Sequence, residues 1–237
     1  MGWKCWVGLS ALLAATFGWI LRGPASGEEV LRFYEAAPSD AIWTTQGEEA
    51  LEFPYVLRSA GLIVQHIAQY EGPFLEDGSQ EPVADVAAVM ISNPKKQGIR
   101  SAEISLWQGG EILEFSLTYL PPGGKVLVLE KNRKRYSQEP ITQCVCTALQ
   151  LGDFYKEKGE ITVVEQKDTL VVENRTQRHI EKAVLYYKEY MESGNYYLGG
   201  RTRTTVVEDL QPGERRQILP YGYAPGYSRV VWACCET

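Results

Sequence analysis

Residues 170–188 (LVVENRTQRHIEKAVLYYK) restate residues 89–107 (VMISNPKKQGIRSAEISLW) at an offset of 81. Asn93 falls on Asn174, Ile99 on Ile180 and Ala102 on Ala183, while Val89, Ile91, Ile104 and Leu106 fall on Leu170, Val172, Leu185 and Tyr187. Further along, Leu120-Pro-Pro-Gly123 answers Leu210-Gln-Pro-Gly213, now at an offset of 90. The second copy is therefore nine residues longer, and residues 191–200 (MESGNYYLGG) carry the insertion. Self-similarity of this kind means one structural unit used twice. Any fold proposed for the first copy has to serve for the second.

The apolar pattern within each copy has a period of two. Ala102, Ile104 and Leu106 alternate with Ser101, Glu103 and Ser105, and Phe115, Leu117 and Tyr119 alternate with Glu114, Ser116 and Thr118. Such alternation marks strands with one buried face. Strands are expected at 62–70, 85–92, 99–107, 112–119 and 125–130, then at 161–165, 169–173, 180–190, 201–207, 214–219 and 228–235. Gly109-Gly110 and Pro121-Pro-Gly-Gly124 supply turns. With no helical periodicity and no βαβ alternation, each copy reads as a compact β-sandwich. In the second copy Ala183, Leu185, Tyr187, Val206 or Val207, Val230 and Trp232 are expected to face inward. The matched asparagines end strands before polar turns, where the side chain can bond nearby backbone.

Elsewhere the pattern is looser. Residues 28–37 have apolar side chains at 30, 31, 33 and 34 and suit a short helix or a tether. Pro54 demotes 52–55 (EFPY) to an edge or lead-in segment. Residues 72–83 have loop chemistry, and 152–159 (GDFYKEKG) read as a charged linker.

The chain starts Met-Gly-Trp-Lys4, runs uncharged from 5 to 21 and stops at Arg22-Gly-Pro24. This is the layout of an export signal, with Ala25-Ser26-Gly27 as small residues for cleavage. An uncleaved anchor is the alternative, since Trp3, Trp6 and Trp19 sit where interfacial aromatics belong. Of 24 basic and 30 acidic residues, the first 27 hold only Lys4 and Arg22, so the remainder is strongly acidic. That excess repels phosphate backbones and argues against a nucleic-acid partner. The expected organisation is 1–27 as signal peptide or membrane anchor, 28–150 as a first sandwich domain and 151–237 as a second.

The order strand, Asn, polar turn, Ile-x-x-Ala strand, tyrosine-rich run, glycine loop and Leu-x-Pro-Gly-Glu resembles FxLYD-type β-sandwich domains of bacterial exported proteins. Asn174, Leu185-Tyr186-Tyr187, Gly194 and Leu210-Gln-Pro-Gly-Glu214 are the matching residues. The whole chain, from about residue 40, also resembles uncharacterised exported two-domain proteins of Firmicutes. No Asp follows the tyrosine pair, and the first copy is the more divergent. The resemblance implies two tandem Ig-like sandwiches outside the cytoplasm. It brings no catalytic residue.

Four cysteines follow the export segment: Cys144, Cys146, Cys234 and Cys235. Outside the cytoplasm an even count raises disulfides, but the two pairs lie in equivalent final strands of different copies. Unpaired thiols, a disulfide and a metal site of weak spacing all stay open. Among the tyrosines, Tyr196 and Tyr197 lie in the insertion and Tyr221 and Tyr223 in a Pro/Gly-rich loop (PYGYAPGY). Gathered at one end of the sandwich, these four would make an aromatic surface for sugar rings or a protein partner. Alternatively, the insertion only covers a sheet edge.

His66 and His179 lie in no catalytic motif. No glycine loop precedes a helix, and no cofactor is expected. Asn174-Arg-Thr176 matches a glycosylation sequon by pattern alone. The expected function is a non-enzymatic exported module binding an envelope protein or glycan, held to the membrane if residues 1–27 remain. The competing expectation is an exported hydrolase or thiol/metal enzyme with its site at the domain junction.

Overall fold

The computed structural model describes residues 32–35, 50–152 and 160–236. Residues 1–27, expected from the sequence to direct export, and residues 153–159 of the expected linker lie outside the described residues. Within them the protein is all-β: fourteen strands and no helix, so no helix there is long and apolar enough to cross a membrane. The first eight strands are β1 (Arg32–Glu35), β2 (Tyr55–Leu57), β3 (Leu62–Pro73), β4 (Pro82–Ser92), β5 (Gly98–Gln108), β6 (Glu111–Leu120), β7 (Lys125–Leu129) and β8 (Ile141–Gly152). The remaining six are β9 (Ile161–Glu165), β10 (Leu170–Asn174), β11 (Ile180–Met191), β12 (Tyr196–Leu210), β13 (Arg215–Ile218) and β14 (Ser228–Glu236).

Two expectations of local structure give way. Residues 32–35 form a strand rather than a helix or tether, pairing antiparallel with 68–71 of β3. The free backbone groups of the β3 edge satisfy that segment better than an isolated four-residue helix could. The loop at 72–83 is also shorter than its chemistry suggested, because the β3–β4 ladder runs on to Gly72↔Val83 and Pro73↔Pro82.

The halves repeat each other strand for strand. Order β7-β4-β3 in the first corresponds to β13-β10-β9 in the second, and β6-β5-β8 corresponds to β12-β11-β14. In each half the two layers close on an apolar cluster. Ile104, Leu106, Phe115 and Leu117 meet Val89, Ile91, Val126 and Val128 in the first. Ala183, Leu185, Tyr187 and Val207 meet Leu170 and Val172 in the second. Each such side chain contributes about 1.5–3 kcal/mol on burial.

The matched asparagines are the pegs of this repeat. Both are wholly buried. Asn93 Nδ2 donates to Gln97 O (2.9 Å) and Pro121 O (3.2 Å), and Asn174 Nδ2 donates to Arg178 O (2.8 Å) and Leu210 O (3.0 Å). Their Oδ1 atoms accept the N–H of Lys95 and of Thr176. Gly123 N–H donates to Asn93 O, and Gly213 N–H to Asn174 O. One side chain thus ties two turns together in each copy.

Left-handed residues recur at matching strand positions as well. Tyr119 (φ 49°) and Asp209 (φ 54°) are left-handed, between register pairs Ile99↔Leu120 and Ile180↔Leu210 on one side and Ser101↔Thr118 and Lys182↔Glu208 on the other. The left-handed residue breaks the alternation without shifting the register, so Leu120 and Leu210 enter the cores and Tyr119 is half-buried instead of inward as strict alternation required. A bulge places Trp232 off the core. Register shifts between Tyr186↔Trp232 and Tyr187↔Val230, so Val230 packs on the core while Trp232 stacks on Tyr186 and Tyr119.

The halves differ at the insertion. It lengthens the β11–β12 hairpin, and the start of β12 pairs in parallel with β7 at Tyr197↔Val126 and Leu198↔Leu127. One eight-stranded sheet, β1-β3-β4-β7-β12-β11-β14 with β2 beside β3, therefore crosses both halves. The outer face of β4 and β7 is buried too. Val86, Ala88, Met90, Leu127 and Leu129 lie under Phe74 of the β3–β4 hairpin and under Leu198 and Tyr196. Double burial explains why VAAVMI and VLVL are continuous apolar runs instead of alternating ones.

Candidate binding surface

Four tyrosines carry the sequence-based surface, and the structure separates them. Tyr196 and Tyr197 belong to β12, half-buried against the outer-face cluster and the first core respectively. Burial pushes both phenols up to about 12. Tyr223 is buried in the second core, edge-on to Tyr187 at 5.6 Å, with its OH donating to Ser228 O (3.3 Å). Tyr221 alone projects into solvent, 98% exposed. The four do not share one exposed face, and the insertion lies on the β7 edge.

The 220–228 loop does meet the β11–β12 hairpin tip at one end of the second half. Tyr190 N–H donates to Tyr227 O (2.6 Å), and Arg229 reaches Glu192 of the tip at 3.8 Å. An open depression of about 380 Å³ lies there, lined by Tyr190, Met191, Glu192, Ser193, Gly226 and Tyr227. Of the lining residues Tyr190 is the most tightly held: its OH bonds Asn195 Oδ1, the Arg229 guanidinium covers its ring at 5.2 Å and Tyr197 meets it edge-on. Tyr227 is 48% exposed. Tyr190 and Tyr227 are not among the four tyrosines singled out from the sequence; nothing in their local pattern sets them apart from the other tyrosines of this half.

The loop backbone is firmly held. Tyr187 OH donates to Tyr221 O (2.6 Å) and Arg203 to Gly222 O (2.9 Å). Ala224 N–H donates to Ser228 Oγ (3.1 Å), and Tyr223 N–H to Pro220 O (3.0 Å). Tyr221 is thus an exposed ring on a fixed backbone.

The junction gathers charge of another kind. Lys188 is buried and its ammonium donates to Gly199 O (3.0 Å) and Gly200 O. The Glu76 carboxylate, from the β3–β4 hairpin, accepts N–H groups of Leu129 (2.8 Å), Gly200 (2.9 Å) and Arg201 (3.1 Å). Burial pushes Lys188 down to about 7 against the attraction of Glu76. It also raises Glu76 against its three backbone donors. Neither group is signalled by sequence, because nothing in the repeat points from one to the other. Beside them Tyr119, Tyr186 and Trp232 cluster with centroids 4.2–5.1 Å apart, and Arg100 lies over Trp232 at 5.7 Å.

None of Cys144, Cys146, Cys234 and Cys235 forms a disulfide. Cys144 and Cys146 share the inner face of β8, opposite Leu106 and Ile104, whereas Cys234 and Cys235 point to opposite faces of β14. Burial pushes Cys144 and Cys235 up to about 12, far from thiolate character at neutral pH. Among the described residues no group of three or more His, Cys, Asp or Glu side chains could hold a metal ion. His66 lies in β3 opposite Met90, and His179 stands 3.4 Å from Asp209. Asn174 of the sequon is buried and fully engaged. Comparison of the chain with protein-family models, curated proteins and solved structures found no match.

Proposed function

We propose that this chain is a non-enzymatic binding protein of the cell envelope: two tandem Ig-like, FxLYD-like sandwiches (28–150 and 151–237), exported by residues 1–27. The observation that carries this reading is the fixed aromatic loop at the far end of the second half. Tyr221 and Tyr227 ride on a backbone pinned by Tyr187, Arg203 and Ser228, while the insertion couples that half to the first through the common sheet. Recognition commonly resides on loops held by a rigid scaffold. The shared asparagine pegs support the tandem reading, and the uncharged stretch at 5–21 supports an extracytoplasmic setting.

A hydrolase at the junction is the weaker reading, because the ionisable groups gathered there are consumed by backbone hydrogen bonds and the thiols are buried or half-buried. The test is fractionation of cells followed by binding of the full-length protein to envelope glycans and envelope proteins. Protein in the membrane or exterior fraction that retains an envelope component supports the proposal. Soluble cytoplasmic protein with no such binding overturns it.

A further inference from the structure

Resting on that reading, the geometry points to an uncharged sugar ring as the ligand of the depression between the 220–228 loop and the β11–β12 hairpin tip, with Tyr227 as its stacking face. Pyranose rings present flat C–H faces edged with hydroxyls, so a site for them needs an exposed aromatic ring held still and polar groups around its rim. Tyr227 offers its ring half-exposed, and its N–H is tied to Ala224 O at 2.9 Å. Gly226 (φ 84°) precedes it, and a side chain there would meet nothing within 4 Å, so the approach is open. Ser193 and Glu192 line the opposite rim.

Charge chooses among ligands. Arg229 is the cation beside Tyr190, but Glu165 at 3.5 Å and Glu192 at 3.8 Å hold it. Among the described residues that line the depression none is cationic, so nothing there recruits a phosphate or carboxylate polymer. Shape chooses as well: an open depression of about 380 Å³ suits one or two rings laid flat rather than a deeply anchored peptide side chain. Tyr190 cannot take the stacking role, because Arg229 already covers it.

The experiment titrates full-length protein, in detergent, with a soluble N-acetylglucosamine tetramer and follows binding calorimetrically. We expect saturable binding, weakened about tenfold or more by Tyr227→Ala and retained by Tyr227→Phe, with thermal unfolding unchanged in both. No binding of the tetramer, or equal binding by Tyr227→Ala, overturns the assignment. A pull-down of envelope proteins run alongside separates the two levels. If proteins are retained and the sugar is not, the ligand class is wrong while the binding module stands. If neither is retained, both fall.

Discussion

Asn93 and Asn174 each make hydrogen bonds that no other side chain of that size could make at once, with an amide donating to two turns and an oxygen accepting from a third group. Replacing either by Ala leaves buried carbonyls unpartnered. We expect losses of about 2–4 kcal/mol for Asn174→Ala and for Asn93→Ala alike, measured by denaturant unfolding. Their role was legible because the repeat set them side by side before polar turns. Lys188 was not, since it stands where the first copy has Trp107, and its partners come from the insertion (Gly199, Gly200) and from the β3–β4 hairpin (Glu76), neither of which the repeat matches. Lys188→Met leaves the half-buried Glu76 carboxylate without its neighbouring cation and should cost about 2–3 kcal/mol, partly recovered by adding Glu76→Gln. The sign of the pH effect follows from the same burial. Lys188, lowered from about 10.5 to about 7, binds its proton less well folded than unfolded. Its burial is therefore most costly below pH 7, and the cost is relieved as pH rises from 7 toward 10.5. Wild type should gain stability between pH 7 and 9 relative to Lys188→Met, and a flat difference across that window would contradict the assignment.

At the level of the element, β7 and β13 are the same strand under different demands. β7 (KVLVL) is flanked on both sides, by β4 and β12, and buried on both faces. β13 (RRQI) is a sheet edge, and it carries Arg215 and Arg216 paired with Glu173 and Glu214. Charge guards an edge against unwanted pairing, whereas an apolar edge has to be covered. The insertion covers it. Strand positions were legible from period two, and most observed strands fall within a residue or two of expectation. The long start of β12 was not, because Asn195, the glycines and two tyrosines at 194–200 carry turn chemistry as readily as strand chemistry, and pairing with β7 decides between them. Gly200 shows how tight that pairing is: a Cβ there would lie 1.9 Å from Ser116 O and 2.8 Å from Val128 Cγ1. Gly200→Ala should therefore destabilise the protein by about 2–4 kcal/mol through overpacking, read as a lower midpoint in thermal unfolding. Tyr196→Ser with Tyr197→Ser should likewise lower stability, by about 2 kcal/mol for each half-buried ring lost. Unchanged unfolding in that double variant would return these two tyrosines to a recognition role.

On the scale of the whole molecule, the eight-stranded sheet makes the two halves one body. A parallel ladder, an apolar outer face and a carboxylate that caps β7 and β12 together join the halves edge to edge. Unfolding should accordingly follow a single cooperative transition instead of two. The most direct measurement is amide hydrogen exchange at Leu129, Gly200 and Arg201, whose N–H groups all donate to Glu76. If the halves are joined as described, these three amides exchange as slowly as those of the cores, and Glu76→Ala speeds them selectively. Rapid exchange at all three in the wild-type protein, with the cores still protected, would contradict the joint.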